Sequence, residues 1–278
     1  MAPDQEISLK DLTVKYSGFD ETVLKGISLT TFSNRKIGII GNSHSGKTTL
    51  LHILSGIIPN IIPGDITGEV TINGLSPIND WASYNEKTGV VLQDSASQLS
   101  GLADTVFDEI AFGLVNQGID EETTRQKVMQ VADELDLIKV LSHAPSDLSG
   151  GQMQRLAIAG AMAIEPQILI MDDPTSQMDP AGRQKFFNWL GKINNITLFI
   201  YSNETDDLAQ LCDEIWVLQE GKILLNGNPH EVFNKLPEKA ELDYPTSFKI
   251  AKKMNWKLKN GDYPVTPDEL REAYTDAD

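Results

Sequence analysis

The sequence KIGIIGNSHSGKTTLLHIL occupies residues 36–54 of the chain. Its first five residues form a short apolar run that predicts a buried strand, and its last five place leucine and isoleucine at helical spacing. Between them, residues 41–48 match the pattern GxxxxGK[ST], which requires a strand before it and a helix after it. Both are predicted here, so this stretch indicates a phosphate-binding loop at the carboxyl end of a strand.

Every residue of this loop is a candidate nucleotide contact. Two glycines let the backbone bend so that successive N–H groups and the helix N-terminus face an anion. Lys47 is expected to reach the β- and γ-phosphates, and the Thr48 hydroxyl to ligate Mg²⁺. His44 stands at a variable position of the pattern and receives no catalytic role. The candidates are Gly41, Asn42, Ser43, His44, Ser45, Gly46, Lys47, Thr48 and Thr49.

An acidic pair follows a second predicted strand. Residues 168–171 (ILIM) form an apolar run that ends in Asp172 and Asp173. In proteins with a phosphate-binding loop an acid at this position holds Mg²⁺, so Asp172 is the predicted magnesium ligand, directly or through a bound water. Ligands of open α/β sheets bind at the carboxyl ends of the strands, and both motifs lie at such ends.

A second glycine-rich element, residues 148–152 (LSGGQ), opens a predicted helix. Its backbone N–H groups and the Ser149 hydroxyl form another surface suited to phosphate, and one chain has no need of two such surfaces at one phosphate. Here the chain resembles the ABC ATPase family, in which a nucleotide is sandwiched between the phosphate-binding loop of one subunit and the LSGGQ signature of another. The resemblance covers nearly the whole chain. It implies ATP and Mg²⁺ as cofactors and adds the nucleotide contacts Ser149, Gly150, Gly151 and Gln152.

The same resemblance assigns three further positions. Tyr16 stands where an aromatic residue stacks on adenine, and a buried strand tyrosine is the alternative. Gln93 resembles the glutamine that senses Mg²⁺ and the transporter, so it is a candidate at both the metal and the catalytic site. Asp179 ends a segment, residues 176–179, that resembles the one crossing the dimer interface.

Within the family, the chain is similar to the ATPases of energy-coupling-factor transporters, which import vitamins and other micronutrients. The similarity rests on residues 92–99 (LQDSASQL), residues 108–114 (DEIAFGL), a prolyl loop at residues 58–64 and a C-terminal extension. It implies integral membrane partner subunits, one of which binds the substrate, and a place at the cytoplasmic face of the membrane. A generic importer ATPase is the alternative.

Two positions depart from the family pattern. Where the family has a glutamate that polarises the attacking water, this chain has Asp173, whose carboxylate is set back by about 1.5 Å, and misplacement on that scale costs on the order of 100-fold in rate. Where the family has a histidine after the next strand, the chain has Asn203, which donates a hydrogen bond but cannot become cationic. We therefore expect slow hydrolysis at this site and a second, active ATPase subunit as partner. A homodimer in which Asp173 works adequately is the alternative.

The order of the predicted elements indicates an α/β fold with a parallel sheet covered on both faces. Together with the resemblance it predicts an ABC ATPase domain at residues 1–232, built from a mixed core sheet, an antiparallel β subdomain and a helical subdomain inserted at about 100–163. A small extension follows at residues 233–278, with dimerisation as one expected role. Residues 57–68, rich in proline and glycine, are expected to precede a strand at 69–72. Thr266 is expected to cap a final helix that begins at Pro267.

Charge and hydrophobicity exclude some classes of partner. The formal net charge of −17 and the pI near 4.6 argue against a nucleic-acid partner, because phosphate backbones are held by surplus lysine and arginine. The N-terminus lacks the basic and apolar regions of a signal peptide. No apolar run approaches the roughly 20 residues that span a bilayer, so membrane association is expected to come through other proteins.

Two other function classes compete. A soluble ABC ATPase of repair or translation is disfavoured by the acidic charge, by the short interval between the two glycine-rich motifs, and by the single ATPase domain. A GTPase or small-molecule kinase shares the phosphate-binding loop but leaves LSGGQ unexplained, and its nearest guanine-specificity candidate, residues 234–237 (NKLP), lacks the required acid.

Overall fold

The computed structural model describes residues 5–275. Its strands are β1 (Glu6–Tyr16), β2 (Thr22–Phe32), β3 (Lys36–Gly41), β4 (Gly64–Thr71), β5 (Thr88–Val91), β6 (Ile168–Asp172), β7 (Thr197–Tyr201), β8 (Glu214–Gln219) and β9 (Lys222–Gly227). Its helices are α1 (Lys47–Leu54), α2 (Ile57–Asn60), α3 (Trp81–Asn85), α4 (Ser95–Gln98), α5 (Val106–Asn116), α6 (Glu121–Glu134), α7 (Gly150–Ala163), α8 (Pro180–Lys192), α9 (Thr205–Leu211), α10 (Pro229–Lys235), α11 (Thr246–Met254) and α12 (Pro267–Thr275).

A six-stranded mixed sheet carries the predicted nucleotide loops. Its order is β5-β6-β7-β3-β8-β9, and β9 is its antiparallel strand. Strands β6, β7 and β8 are buried along almost their whole length, which is why their sequences are continuous apolar runs rather than alternating ones. Because β3 pairs with β7, and β7 with β6, the loops that follow these three strands leave the sheet side by side.

A separate three-stranded antiparallel sheet, β2-β1-β4, confirms the predicted antiparallel unit. The expected start of its third strand was wrong, because β4 begins at Gly64 rather than at residue 69. Gly68 has a φ of 90°, and a Cβ there would lie 2.4 Å from the Lys10 carbonyl oxygen. It faces a register shift in β1 between Lys10 and Thr13. The glycine that suggested a loop therefore lies inside β4 and accommodates a bulge in β1.

From about residue 100 to the signature the chain is helical, as expected. Thr105 and Asp120 cap α5 and α6 by accepting hydrogen bonds from the backbone N–H groups of Asp108 and Thr123. Each helix buries one apolar face, and both pack on α7. Helix α7, which begins with the signature, therefore connects this subdomain to the sheet.

The C-terminal extension packs against the main body of the protein. Phe233, Phe248 and Val265 belong to the same buried cluster as residues of the main sheet and the helical subdomain. The boundary predicted between residues 232 and 233 falls inside α10 and stays a prediction. The expected cap of α12 is confirmed, since the Glu269 N–H donates to the Thr266 hydroxyl and the Thr266 N–H to the Glu269 carboxylate. Among residues 5–275, none of the helices is both long and apolar enough to cross a bilayer.

Candidate functional site

The phosphate-binding loop joins β3 to α1, as the sequence predicted. A Cβ at Gly41 would lie 2.3 Å from the Leu218 carbonyl oxygen, so the close approach of β8 requires glycine there. Gly46 has a φ of 101°, which also favours glycine, but for a conformational reason. His44 adopts a left-handed φ of 62° and is exposed, whereas Ser45 beside it is buried. The loop is thus shaped by two glycines with different tasks.

Lys47 is the buried cation of the loop. Its Nζ donates a hydrogen bond to the Asn42 carbonyl oxygen at 2.7 Å and lies 4.8 Å from the centre of the Tyr201 ring. Burial lowers the pKa of the Lys47 ammonium below its ordinary value, and the negative charge of Asp172 opposes this effect. A desolvated ammonium with few competing partners interacts strongly with an incoming phosphate.

Asp172 fits the predicted magnesium site. The residue is 3% exposed, and its Oδ1 has no hydrogen-bond partner within the described part of the chain. Burial raises the pKa of the Asp172 carboxyl, while a hydrogen bond from Thr48 and the charges of His52 and Lys47 oppose the rise. A buried carboxylate oxygen and a threonine hydroxyl are hard ligands of the kind that Mg²⁺ prefers. When bound there, the ion would neutralise charge on the phosphates.

Asp173 follows Asp172, one of the candidate magnesium ligands, and lies near other carboxylates. Its φ is 49°, a conformation that aspartate tolerates better than most residues. The Asp173 N–H donates to the Tyr201 carbonyl oxygen at 3.0 Å, which fixes the start of the loop against β7. Burial, with the negative charges of Asp172 and Glu204, raises the pKa of the Asp173 carboxyl. The backbone of Asp173 is therefore fixed by a hydrogen bond, and its carboxylate lies near the negative charges of Asp172 and Glu204.

Asn203 follows β7 and is exposed. Its Oδ1 accepts a hydrogen bond from the Tyr201 hydroxyl at 2.9 Å, so its amide nitrogen remains available as a donor. The next residue, Glu204, forms an ion pair with Arg183 of α8, and Arg183 Nε lies 3.5 Å from Asp207 Oδ2. These contacts connect the segment around Asn203 to the helix that follows Asp179.

An open cavity of about 480 Å³ adjoins the loop. This volume is within the range of small-molecule sites. Its outer wall was not predicted from the sequence: it comes from the start of β2 and the turn between β8 and β9, and neither stretch carries a chemical motif. The cavity is lined by Glu21, Thr22, Val23, Lys25, His44, Gly46, Lys47, Thr48, Thr49 and Glu220.

Tyr16 ends β1 close to this loop. A hydrogen bond of 3.0 Å joins its hydroxyl to that of Thr49 in α1, and the residue is partly buried against the neighbouring core. Tyr16 is not among the residues that line the cavity. Its stacking on adenine stays a prediction.

The signature residues lie at the N-terminus of α7, outside that cavity. Ser149 caps the helix by accepting from the Gln152 N–H, and the Gln152 side chain accepts from the Ser149 N–H at 2.9 Å. Gln152 is therefore used within the cap, while the backbone N–H groups of the exposed Gly150 and the partly exposed Gly151 begin the helix. A Cβ at Gly150 would lie 2.7 Å from Gln177 Oε1. The signature thus presents a helix N-terminus beside residues 176–179.

Gln93 is exposed and leaves the sheet two residues after β5. Val91 pairs with Met171, so Gln93 departs from the strand beside the one that ends in Asp172. The adjacent Asp94 caps α4 by accepting from the Ala96 N–H. Asp179 likewise caps α8 through the Gly182 N–H, at 2.6 Å. The metal and catalytic roles of Gln93 stay predictions.

Comparisons with known proteins point in one direction. The sequence profile of the ABC transporter family matches residues 24–176. The chain is similar to the energy-coupling factor transporter ATP-binding protein EcfA2 of Enterococcus faecalis, with 35% identity over 91% of this chain and 89% of that protein. It spans about half the length of some other curated relatives, 48% and 49% of two of them.

Two solved structures are also similar. One is cbiO1 of Clostridium perfringens, described as part of the ABC transporter complex cbiONQ, with a TM-score of 0.72 and 27% identity over 91% of this chain and 96% of that chain. The other is a dimeric structure of a bacterial ABC transporter cassette, with a TM-score of 0.71 and 26% identity over 80% of this chain and 98% of that chain.

Proposed function

Because this chain belongs to the ABC transporter family of ATP-binding proteins, we propose that it is the ATPase subunit of an energy-coupling-factor type importer. It acts at the cytoplasmic face of the membrane, bound to integral membrane subunits, one of which binds the substrate. ATP binding closes a dimer of ATPase subunits, hydrolysis or product release reopens it, and the helical subdomain and the segment around Gln93 pass the motion to the membrane subunits.

One observation carries the proposal: the chain has two candidate phosphate-binding surfaces that do not share a cavity. The first is the loop with Lys47, and the second is the helix N-terminus at Ser149, which does not line the cavity beside that loop. A single chain cannot bring both surfaces to the same nucleotide, because a nucleotide bound at the first surface does not reach the second. Two chains facing each other supply both surfaces to one nucleotide, which accounts for the presence of both motifs.

The residues of the site have distinct tasks. The loop amides and Lys47 hold the phosphates, and Thr48 with Asp172 would hold Mg²⁺. Asp173 is placed to orient water but is one methylene short, and Asn203 offers an amide in place of a titratable ring. The binding groups are intact and only the water-activating groups have changed, so we propose that this subunit pairs with a different, active ATPase subunit. A homodimer with two working sites is the alternative.

A repair or translation ATPase is the second candidate function. The interval between the two motifs holds helices no longer than the 14 residues of α6, which leaves no room for the long coiled coil of repair proteins. The charge of −17 also opposes binding to nucleic acid. No observation favours this candidate over transport.

Affinity purification of the tagged chain in mild detergent tests the proposal. From cells that express its genomic neighbours, we expect membrane subunits and a second ATPase to co-purify, and the purified complex to prefer ATP over GTP. Mass spectrometry of the eluate identifies the chains. Recovery of this chain only as a free species, with its neighbours expressed, would refute a role in transport.

Single-turnover hydrolysis by the purified complex tests the pairing. We expect a fast phase from the site completed by the signature of this chain, and a slow phase from its own phosphate-binding loop. Ser149→Arg should remove the fast phase, because a bulky cation replaces the hydroxyl that faces the nucleotide of the partner. Lys47→Ala should remove only the slow one. Equal rates at the two sites would contradict this pairing and favour the homodimer.

A further inference from the structure

The C-terminal extension contacts the phosphate-binding loop directly. The side-chain amide of Asn42 donates a hydrogen bond of 2.8 Å to the carbonyl oxygen of Ala240. Ala240 is 2% exposed and ends a short turn over Glu238–Ala240. The two residues are 198 positions apart in the sequence, so the contact is purely tertiary.

Asn42 carries this contact to the buried cation. Its backbone carbonyl accepts from Lys47 Nζ at 2.7 Å and from the Ser45 N–H at 3.1 Å. A continuous path of one side chain and two hydrogen bonds therefore runs from Ala240 to the ammonium of Lys47. One residue therefore carries both the donor to the extension and the acceptor for Lys47.

The same stretch of the extension is attached a second time, near Asn203. Asp206, in the first turn of α9, accepts hydrogen bonds from the Thr246 N–H at 2.6 Å and from the Thr246 hydroxyl at 2.7 Å. The Thr205 N–H donates to the Asn203 carbonyl oxygen at 3.1 Å, so Asp206 and Asn203 belong to one tightly turned segment. The extension thus contacts both the phosphate-binding loop and the segment after Asn203, which follow the adjacent strands β3 and β7.

Between these attachments, the stretch is fixed by aromatic packing. Tyr244 stacks on Phe248 with ring centres 4.7 Å apart, and it also contacts Phe233. Its hydroxyl donates to the Leu236 carbonyl oxygen at 2.7 Å. A stretch held in this way transmits position from one attachment to the other, because packed side chains resist displacement.

We propose that residues 238–246 form a brace that fixes the phosphate-binding loop relative to the Asn203 segment, with Asn42 and Asp206 as positioning residues for ATP binding. The inference rests on the proposed ATP site. The brace preorganises the loop before the nucleotide arrives, so that less conformational freedom is lost on binding. Through the brace, a molecule that binds the extension would also change the affinity of the site for ATP.

Nucleotide titrations of single and double variants test the brace. Asn42→Ala and Asp206→Ala should each weaken binding of a fluorescent ATP analogue by roughly threefold to tenfold, the effect of losing one or two hydrogen bonds. The double variant should bind the analogue about as tightly as the weaker-binding of the two single variants. The reason is that releasing either attachment of residues 238–246 already frees the loop. In the assembled complex, KM for ATP should rise with little change in kcat. Asp206→Asn keeps an acceptor for Thr246 and should restore most of the affinity.

Asn234→Ala is the matched control. Asn234 donates to the carbonyl oxygens of His230 and Tyr263, so it holds the extension together away from both loops. This variant should lower the melting temperature yet bind the analogue within twofold of the unmodified chain. If it weakens binding as much as Asn42→Ala, general loosening explains the effect and the brace is wrong.

Lys47→Ala, measured in parallel, separates the two proposals. If Lys47→Ala binds the analogue normally, the ATP site itself is misassigned. If Lys47→Ala weakens binding strongly while Asn42→Ala and Asp206→Ala stay within twofold of the unmodified chain, only the brace is overturned. Full additivity of Asn42→Ala and Asp206→Ala would also overturn it, since independent effects need no connecting stretch.

Discussion

Replacing Lys47 with alanine is expected to weaken ATP binding by roughly 100-fold. Lys47 is 7% exposed, and its ammonium contacts the Asn42 carbonyl oxygen, the Ser45 hydroxyl and the face of Tyr201. Hydrogen bonds to charged groups contribute about 1.5–3 kcal/mol each, and a lysine that bridges two phosphates makes more than one. Isothermal titration with ATP and Mg²⁺ gives the affinity directly.

Lys25→Ala provides the comparison for this measurement. Lys25 lines the same cavity but is exposed, so water and salt screen its charge. We expect a loss of no more than about threefold for Lys25→Ala. If the two lysine variants behave alike, or if Lys47→Ala binds ATP like the unmodified chain, the loop at residues 41–48 is not the phosphate site.

Restoring a glutamate at position 173 is expected to accelerate hydrolysis at the site of this chain by about 100-fold. The longer side chain brings the carboxylate forward by about 1.5 Å, and errors of that size cost on the order of 100-fold in an oriented reaction. Asp173→Asn, which has the same size and no base, should reduce the residual rate further. Single-turnover measurement of the slow phase in the complex reports both changes.

The structure also indicates that glutamate at position 173 has a cost in stability. Asp173 is 9% exposed, has a φ of 49° and faces the charges of Asp172 and Glu204. Glutamate tolerates this conformation less well than aspartate, so a small loss of stability should accompany the faster rate. Adding Asn203→His should increase the rate again, because it restores a titratable ring. If Asp173→Glu binds ATP normally and hydrolyses it no faster, the short carboxylate does not limit the site.

Much of the candidate nucleotide site could be located from the sequence because its signals are local. The loop at residues 41–48 lies between a strand and a helix, and both are formed by short-range patterns in the adjacent residues. The same holds for Asp172 at the end of β6 and for Ser149 at the start of α7. In each case, chemistry and secondary structure are encoded within about ten residues, so no knowledge of distant contacts was needed.

The error at β4 shows where local signals mislead. Proline and glycine in residues 57–68 favour a loop when they are considered alone. Gly68 instead lies opposite a register shift in β1, and its missing Cβ accommodates the Lys10 carbonyl oxygen. A bulge depends on the partner strand, which the local pattern does not contain.

By itself, the sequence determined the family, the phosphate-binding loop, the signature and the two departures at Asp173 and Asn203. Only the tertiary structure decided how these parts are held. It supplied the outer wall of the cavity, the cap that uses Gln152, and the attachment of Asn42 to Ala240 across 198 positions of chain. The physical reason is that such contacts depend on how helices and strands pack, and a backbone carbonyl such as that of Ala240 leaves no mark in the residue pattern.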